Sequence, residues 1–352
     1  MSVRTRRTVS YLAWGMGTFV LCCMIVSFGF AGYKLFTPAN QQSTATLPPP
    51  FVIVEITATP PAAEAKAPQC GGPEVMYILL AGSDTRSNSY TTGLADAIRI
   101  VRVDFVNPGI TMMSFHRDLY VEIPGIADHH GITHGKLNQA YLYGTDTFKY
   151  YDGPDEGLGL LALTLEHNFG VQVDHAAAVN LQTFVKVIDA IGGIDIDLPN
   201  AVDGRTSSNN PDLYFPAGEQ HLDGYHTMLL ARLRPEGDLV RSRTQDLILK
   251  ALAVKLLEPA TLLQIPAIID AFKGSIQTNL TQTEITQLLC LAALIDPQSI
   301  QTHSFPDELF KLKRVNDPII GNTSILDADF EILKAYVQEF NKGSWPETIP
   351  QP

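Results

Sequence analysis

The arrangement of apolar and polar positions first separates an N-terminal anchor from the rest of the chain. No charged residue occurs from Tyr11 to Tyr33, and at about 1.5 Å per residue such a helix crosses a hydrocarbon core of roughly 30 Å. We therefore predict a transmembrane signal anchor over residues 11–36. Three arginines precede it, so the positive-inside rule predicts cytoplasmic residues 1–10 and an extracytoplasmic body. A cleaved signal peptide is the alternative, although the apolar run is longer than such peptides usually have.

A spacer and a tail flank the body. Residues 37–74 are rich in Pro, Ala and Thr, a composition typical of an extended linker. Residues 259–352 show mostly helical patterns with one strand-like segment at 300–305, and they predict a C-terminal extension that is either a small subdomain or a helical cap. The body itself is expected over residues 75–258.

Strand-like and helix-like patterns alternate within this body. The apolar run over residues 75–80 predicts a central strand, and residues 97–105 predict a β-hairpin with the segment that follows the Asn-Pro-Gly turn. Apolar residues at helical spacing predict three helices, over residues 158–169, 181–191 and 241–257. The fold class is therefore α/β, with a mixed central β-sheet flanked by helices.

Net charge and cysteine content limit the possible partners and the possible disulfides of the protein. The formal net charge of -12 argues against a nucleic-acid partner, because such proteins gather phosphate with basic surfaces. The cysteines do not form a recognisable disulfide framework. We therefore predict a body without disulfides, in which Cys290 is a small buried apolar residue.

Two aspartates lie at neighbouring ends of predicted strands. Asp84 follows the first strand, and Asp96 comes directly before the second. The intervening loop could bring both carboxylates to one hard cation, and Mg²⁺ commonly takes one or two carboxylates together with substrate phosphates and water. Capping and turn formation are the alternative role for both residues.

A basic cluster stands out in this acidic chain. Four arginines lie within twelve residues: Arg232, Arg234, Arg241 and Arg243. Extended backbone before the proline at 235 would send the first two to one side, and Arg241 shares a helix face with Gln245. Guanidinium groups match phosphate oxygens bidentately, so the pattern favours a phosphate site to which Arg117 and Lys136 add cations. Ion pairing with Asp238 and Asp246 is the alternative.

Seven blocks between Met76 and Leu257 resemble the LytR-CpsA-Psr family in the family's order. They are LLAGSDTR, ADAIRIVRVD, SFHRDLYVEIPG, GKLNQAYLYG, VNLQTFVKVIDAIGGIDIDLP, FPAGEQHLDGYHTMLLARLR and GDLVRSRTQD. The resemblance implies a signal-anchored plasma-membrane protein whose α/β body buries a polyprenyl chain between sheet and helices. It also implies a magnesium-dependent phosphotransferase that moves a phosphoglycan from a polyprenyl-pyrophosphate carrier to peptidoglycan, with a pyrophosphatase side activity as a further expectation.

The resemblance also assigns expected roles to residues. Asp84 and Asp96 correspond to magnesium ligands, and Asp238 to an acidic residue that orients the last arginine. The residues expected around the pyrophosphate are Arg117, Lys136, Arg232, Arg234, Arg241 and Gln245. Of all these, Asp96, Arg117, Arg232 and Arg234 form the expected catalytic group.

The chain also departs from the family's pattern. Leu94 stands where the family usually has an arginine, His116 replaces a proline, and Thr244 replaces an arginine that is here one position earlier, at Arg243. The lost guanidinium groups leave a second hypothesis open, a non-catalytic envelope protein that binds polyprenyl-linked glycans. A transcriptional role, with which the family has also been labelled, conflicts with an acidic extracytoplasmic body.

Overall fold

The computed structural model describes residues 66–85, 90–205, 210–234 and 238–350. The strands in these ranges are β1 (Val75–Ser83), β2 (Ala95–Asp104), β3 (Gly109–Phe115), β4 (Tyr120–Glu122), β5 (His134–Lys136), β6 (His175–Asn180), β7 (Ile194–Leu198), β8 (Val202–Asp203), β9 (Tyr214–Phe215), β10 (Gly218–Leu222), β11 (Ile276–Thr278), β12 (Gln301–Ser304), β13 (Lys311–Asp317) and β14 (Gly321–Asp327). The α-helices are α1 (Leu137–Gly144), α2 (Glu156–Phe169), α3 (Leu181–Ala190), α4 (Gly224–Arg232), α5 (Asp238–Leu257), α6 (Pro259–Leu262), α7 (Ile265–Ala271), α8 (Gln282–Ala292) and α9 (Phe330–Asn341).

A six-stranded mixed sheet organises the fold, in the order β11-β6-β1-β2-β3-β12. Central strand β1 pairs antiparallel with β2 and parallel with β6, because the chain returns to β6 through α1 and α2. Strands β2 and β3 form the predicted hairpin, with Asp104 opposite Gly109 at its turn. The predicted α/β class with a mixed sheet flanked by helices is confirmed.

Both faces of the sheet are buried. Side chains alternate between the two faces along each strand, and a separate hydrophobic cluster covers each face. One hydrophobic cluster joins the first face to α2 and α9, and it includes Leu79, Ile98, Leu161 and Val337. Another cluster joins the opposite face to α5 and α8, and it includes Ile78, Val101, Leu257 and Leu291. The sheet is therefore the middle layer of three.

The tail over residues 259–352, expected as a mostly helical extension, combines helices α6–α9 with strands β11–β14 in its described part. The described residues from 66 to 350 belong to one compact unit. Strands β11 and β12 of this tail complete the two edges of the central sheet, and α9 buries Tyr336 and Phe340 in the main core. Strand β11 has three residues, too few to show an alternation pattern, so the sequence did not reveal it, whereas β12 lies in the strand-like segment at 300–305.

Cys70 and Cys290 form a disulfide, with their Cα atoms 5.8 Å apart. The prediction of a body without disulfides, with Cys290 as a free buried residue, was therefore wrong. A short 3₁₀ turn, Gln69–Gly71, lies against α8, where Gln287 Nε2 donates to the carbonyl of Gly71 at 2.7 Å. The partners are 220 residues apart in the chain, so only the tertiary fold brings them together.

The predicted anchor at 11–36, and the predicted linker up to residue 65, lie outside the described residues. From residue 66 onward the linker already contacts the body, since Gln69 N donates to the carbonyl of Phe105 at 2.7 Å. Among the helices that the structure describes, none combines the length and the hydropathy needed to cross a membrane.

Candidate active site

A β-bulge places Asp96 at the mouth of a cavity. The pairing of β1 with β2 shifts between Gly82, which lies opposite Ala97, and Ser83, which lies opposite Ala95. Asp96 is therefore the extra residue on β2. Bulges bend a strand and re-aim a side chain, and this one directs the Asp96 carboxylate away from the ladder into the cavity.

The loop between β1 and β2 fixes Asp84 beside this bulge. Asp84 N donates to the carbonyl of Leu94 at 3.1 Å, and Leu94 N donates to Asp84 Oδ1 at 2.7 Å. Gly93 has φ +122°, and a Cβ there would lie 2.9 Å from Ser83 Oγ. The loop therefore requires glycine at this position for both conformation and space.

The cavity has a volume of about 710 Å³ and lies between β1, β2 and β6 on one side and α3, α4 and α5 on the other. Its polar lining consists of Ser83, Asp84, Asp96, Arg99, Asn180, Arg232, Arg234, Arg241 and Gln245. Its apolar lining includes Leu80, Val179, Phe184, Leu249 and Leu252.

Polar and apolar linings are segregated along the elements that supply them. On α5 the lining residues change from Arg241 and Gln245 in the first turns to Leu249 and Leu252 further along. On β1 they change from Asp84 at the end of the strand to Leu80 within it. One end of the cavity is therefore charged and the other is apolar.

The arginines at the charged end differ in exposure. Arg232 and Arg234 are exposed where α4 ends, whereas Arg241 is buried, with 5% of its surface accessible. Gln245 Nε2 donates to the carbonyl of Ala231 at 3.1 Å, which holds α5 against the end of α4. The predicted convergence of these residues is therefore present in the structure, although Arg232 reaches the cavity from a helix end and not from extended backbone.

Arg99 on β2 is a cavity residue that the sequence reasoning missed. It is only 2% exposed, and its Nε donates to Asp246 Oδ1 at 2.7 Å. The same carboxylate group accepts hydrogen bonds from the hydroxyls of Ser114 and Ser304. Alternation along β2 places Arg99 on the same face as Ala97, and that inward position was the available signal.

Arg117 and Lys136 lie behind Asp96, and neither is among the described residues that line the cavity. Arg117 Nη1 donates to Asp96 Oδ1 at 2.6 Å, and its Nε donates to Asp118 Oδ2 at 3.1 Å. Lys136 Nζ donates to Asp118 Oδ1 at 2.8 Å. Burial alone would raise the pKa of Asp118, but hydrogen bonds and charge from Lys136 and Arg117 outweigh it and lower the pKa. The row of alternating charges orients Asp96.

Two other residues expected at the site, Asp238 and Arg243, are not part of the cavity lining as the structure describes it. Helix α5 begins at Asp238, whose side chain lies outside the described part of the structure. Arg243 does not line the cavity; its Nη1 pairs with Asp307 Oδ2 at 2.5 Å. Successive residues on an α-helix are about 100° apart, so the shift from position 244 to 243 turns this arginine to another face.

The chemistry of the charged end fits Mg²⁺. Each of the two aspartates uses Oδ1 for the contacts above, and within the described residues Oδ2 makes no hydrogen bond in either. No group of three or more His, Cys, Asp or Glu gathers in the described part of the chain. Two carboxylates that line one cavity suit Mg²⁺, which completes its octahedron with water and phosphate oxygens.

The chain also resembles known proteins. Regulatory protein MsrR from Staphylococcus aureus (strain COL) is 30% identical over 214 residues, which are 60% of this chain and 58% of that protein. TagV from Bacillus subtilis (strain 168), named polyisoprenyl-teichoic acid--peptidoglycan teichoic acid transferase, is 29% identical over 211 residues, 59% of this chain and 50% of that protein. The chain thus spans little more than half the length of these relatives.

The fold matches as well. The crystal structure of B. subtilis TagV superposes with a TM-score of 0.59 at 26% identity, and the match covers 78% of this chain and all of that one. The LytR_cpsA_psr family profile matches residues 59–340, which include the sheet, the cavity and α9. The chain therefore belongs to the LytR_cpsA_psr family.

Proposed function

We propose that the protein is a phosphotransferase that moves a phosphoglycan from a polyprenyl-pyrophosphate carrier to peptidoglycan. The observation that carries this proposal is that one cavity has both a charged end and an apolar end. Such a cavity suits a ligand with an anionic head and a hydrocarbon tail. The transferase name of the relative TagV agrees with it.

The two ends of the cavity bind different parts of this donor. Arg232, Arg234 and Arg241 surround the pyrophosphate, and planar guanidinium groups can each donate two parallel hydrogen bonds to its oxygens. The tail lies along Phe184 and Leu252, where its burial contributes about 25 cal/mol per Å² of apolar surface. Binding of the donor therefore needs both ends of the cavity.

The reaction is a displacement at phosphorus. A peptidoglycan hydroxyl oxygen attacks the phosphorus next to the glycan, the bond from that phosphorus to the bridging oxygen breaks, and polyprenyl phosphate leaves with the electron pair. The hydroxyl proton passes to a carboxylate of the cavity, Asp96 or Asp84. The arginines stabilise the charge that develops on the phosphoryl oxygens, which is the main catalytic demand in phosphoryl transfer.

Magnesium would be held by Asp84 and Asp96, and when bound it would neutralise part of the pyrophosphate charge. Arg117 donates to Asp96 Oδ1, which leaves Oδ2 for the metal. Lys136 and Arg117 both donate to Asp118, so Lys136 helps to hold Arg117 in place. Arg117 and Lys136 are therefore positioning residues in this proposal. Substitution of either residue should weaken magnesium binding more than it weakens binding of the polyprenyl tail.

We place the body outside the cytoplasm. The Cys70–Cys290 disulfide supports this, because such bonds persist in oxidising compartments. The uncharged run at 11–33, with arginines before it, supports a single-pass anchor with a cytoplasmic N-terminus. A reporter fused after Pro352 should be active only outside the cytoplasm, and cytoplasmic activity would contradict this topology.

The test is transfer of labelled glycan from polyprenyl pyrophosphate to peptidoglycan by the full chain in detergent with Mg²⁺. Arg232→Ala should lower the rate about 100-fold, the effect of losing one preorganised donor. Arg232→Lys should recover the transfer rate only partly, since an ammonium group cannot donate two parallel hydrogen bonds to one phosphate. The control Arg205→Ala removes an exposed arginine that pairs with Asp203 elsewhere, and it should change nothing. Equal rates for Arg232→Ala and the control would contradict the proposal.

Leu94 favours a second candidate function, a protein that binds the donor without turnover. Its backbone N–H holds Asp84, but its side chain supplies no cation where the family usually has an arginine. Leu94→Arg should then raise turnover from a low level without loss of affinity for the donor. A donor that binds tightly to the wild-type chain and is never consumed would favour this candidate.

A further inference from the structure

One end of the body brings together the start of β1, the turn between β2 and β3, and the end of α5. Leu257, the last residue of α5, belongs to the same hydrophobic cluster as Met76 and Phe105. The predicted linker joins the body here, since Gln69 N donates to the carbonyl of Phe105 at 2.7 Å. We call this end of the body the linker end.

The apolar end of the donor cavity lies toward the linker end. Strand β1 leads away from the linker end, and its contribution to the cavity lining changes from Leu80 to Asp84 along that direction. Helix α5 runs the other way, from Arg241 at the charged end of the cavity to Leu252 and then to Leu257. Both elements therefore place the apolar lining nearer the linker end than the charged lining.

An exposed apolar segment follows α5 at the linker end. Residues 259–269, which include α6 and most of α7, contain no charged side chain. Leu263, between these two helices, is 85% exposed, and Pro266 is exposed as well. Ile268 packs against the hydrophobic cluster to which Leu252 of the cavity also belongs. The segment therefore continues the apolar packing around the cavity out to the protein surface.

A second exposed leucine lies at the same end. Leu294 follows α8, and the disulfide between Cys290 of α8 and Cys70 holds that helix against the segment that enters the body. Single exposed apolar side chains are common on folded proteins. Exposed apolar side chains that gather beside an uncharged segment indicate an interaction surface instead.

A lipid bilayer is the partner that fits this surface. Residues 37–65 reach at most roughly 100 Å, so a transmembrane anchor before them keeps the linker end near a membrane. Such a tether raises the effective concentration of the two surfaces, so a modest apolar area is enough for docking. The uncharged segment at 259–269 also avoids the repulsion that an acidic surface meets at anionic head groups.

We propose that residues 259–269 and Leu294 form a membrane-docking surface, which lies against the outer face of the bilayer. Docking there lets the polyprenyl tail pass between the acyl chains and the apolar end of the cavity. This inference rests on the proposed function and on the proposed anchor. It also makes a separate claim, that the surface contacts lipid in the absence of any donor.

The experiment measures lipid contact in the full chain, held in phosphatidylcholine nanodiscs without donor. Leu263→Cys carries a fluorescent label in a background with Cys22→Ser and Cys23→Ser, and the quencher is a lipid with a nitroxide near the head group. The matched control is Leu312→Cys, because Leu312 is 75% exposed but lies in β13 between Lys311 and Lys313.

Strand β13 is also distant from the linker end, since its partner β14 reaches the charged end, where Leu326 N donates to the carbonyl of Asp118 at 2.8 Å. The nitroxide lipid should quench the label at 263 at least about threefold more than the label at 312, because a docked apolar surface enters the head-group boundary. Equal quenching of the two labels would overturn the inference. Protection of the label at 263 by a second copy of the chain, without lipid quenching, would also overturn it.

A transfer assay then separates this inference from the proposed function. Leu263→Asp should lower transfer from a membrane-embedded donor about tenfold, because the carboxylate resists entry into the acyl region. Transfer from a donor whose tail is short enough to dissolve without a membrane should be unchanged, and Leu312→Asp should affect neither reaction. Lipid quenching of the label at 263 in a chain that never turns over donor would still support the docking surface. Equal losses with both donors in Leu263→Asp would contradict it.

Discussion

The buried pair of Arg99 and Asp246 gives the sharpest stability prediction. Their side chains are 3% and 12% exposed, and Nε lies 2.7 Å from Oδ1. Asp246→Asn keeps the shape of the side chain and its ability to accept from Ser114, but removes the charge. Arg99 would then be a buried cation without a counter-charge.

The magnitude follows from the cost of such a charge. Breaking a buried pair by removing one partner typically costs about 3 to 5 kcal/mol, because the remaining ion is desolvated without compensation. The exposed pair of Arg243 and Asp307, at 55% and 38% exposure, is the internal comparison. Exposed pairs contribute only about 0 to 1 kcal/mol, so Arg243→Ala should be nearly neutral for stability.

Urea unfolding of the folded body, followed by fluorescence, measures both free energies. Replacing both partners, as in Arg99→Met with Asp246→Leu, should cost much less than Asp246→Asn alone, since no charge then stays buried. The double variant should still lose donor affinity, because Arg99 lines the cavity. If Asp246→Asn cost no more than Arg243→Ala, the reasoning about this pair would be refuted.

Three further predictions concern other parts of the molecule. Reducing the Cys70–Cys290 disulfide, or replacing both cysteines by serine, should lower the free energy of unfolding by about 3 to 5 kcal/mol, since the bond closes a long loop; unchanged unfolding would contradict this. The pKa of His116, about 4, lies below the value of about 6.5 in an unfolded chain. Only the unfolded state gains this proton as pH falls from 6.5 to 4, so stability should drop by up to about 3 kcal/mol in that window. His116→Gln should remove that part of the pH dependence, and an identical pH profile would refute it. Leu252→Arg should weaken binding of polyprenyl pyrophosphate about tenfold or more while leaving that of inorganic pyrophosphate unchanged, because it places a charge in the apolar end; equal losses for both ligands would contradict the segregated cavity.

Local patterns in the sequence were sufficient for the centre of the sheet. The hairpin of β2 and β3 has its turn and its alternation within one short segment, so both strands were predictable. The edge strand β11 is recognised only by its pairing with β6. The disulfide between Cys70 and Cys290 depends on the same kind of long-range contact.

The candidate site shows the same division. Asp84, Asp96 and Arg241 carry their chemistry in their residue types and reach one cavity, as the spacing predicted. Sequence alone could not show that Arg117 contacts Asp96, because that pairing depends on how β2 and β3 align. Arg99 was not singled out from the sequence; it lies within a mostly apolar strand and away from the arginine cluster at 232–243.

The most direct test of the central claim identifies the bonds formed and broken in one turnover. Full-length protein is incubated with Mg²⁺, peptidoglycan and a polyprenyl pyrophosphate that carries a labelled glycan, and both products are identified by mass spectrometry. We expect glycan attached to peptidoglycan through a phosphodiester, with one polyprenyl monophosphate released per transfer, and loss of both products in Asp96→Ala. Release of intact polyprenyl pyrophosphate, or transfer that persists in Asp96→Ala, would contradict it.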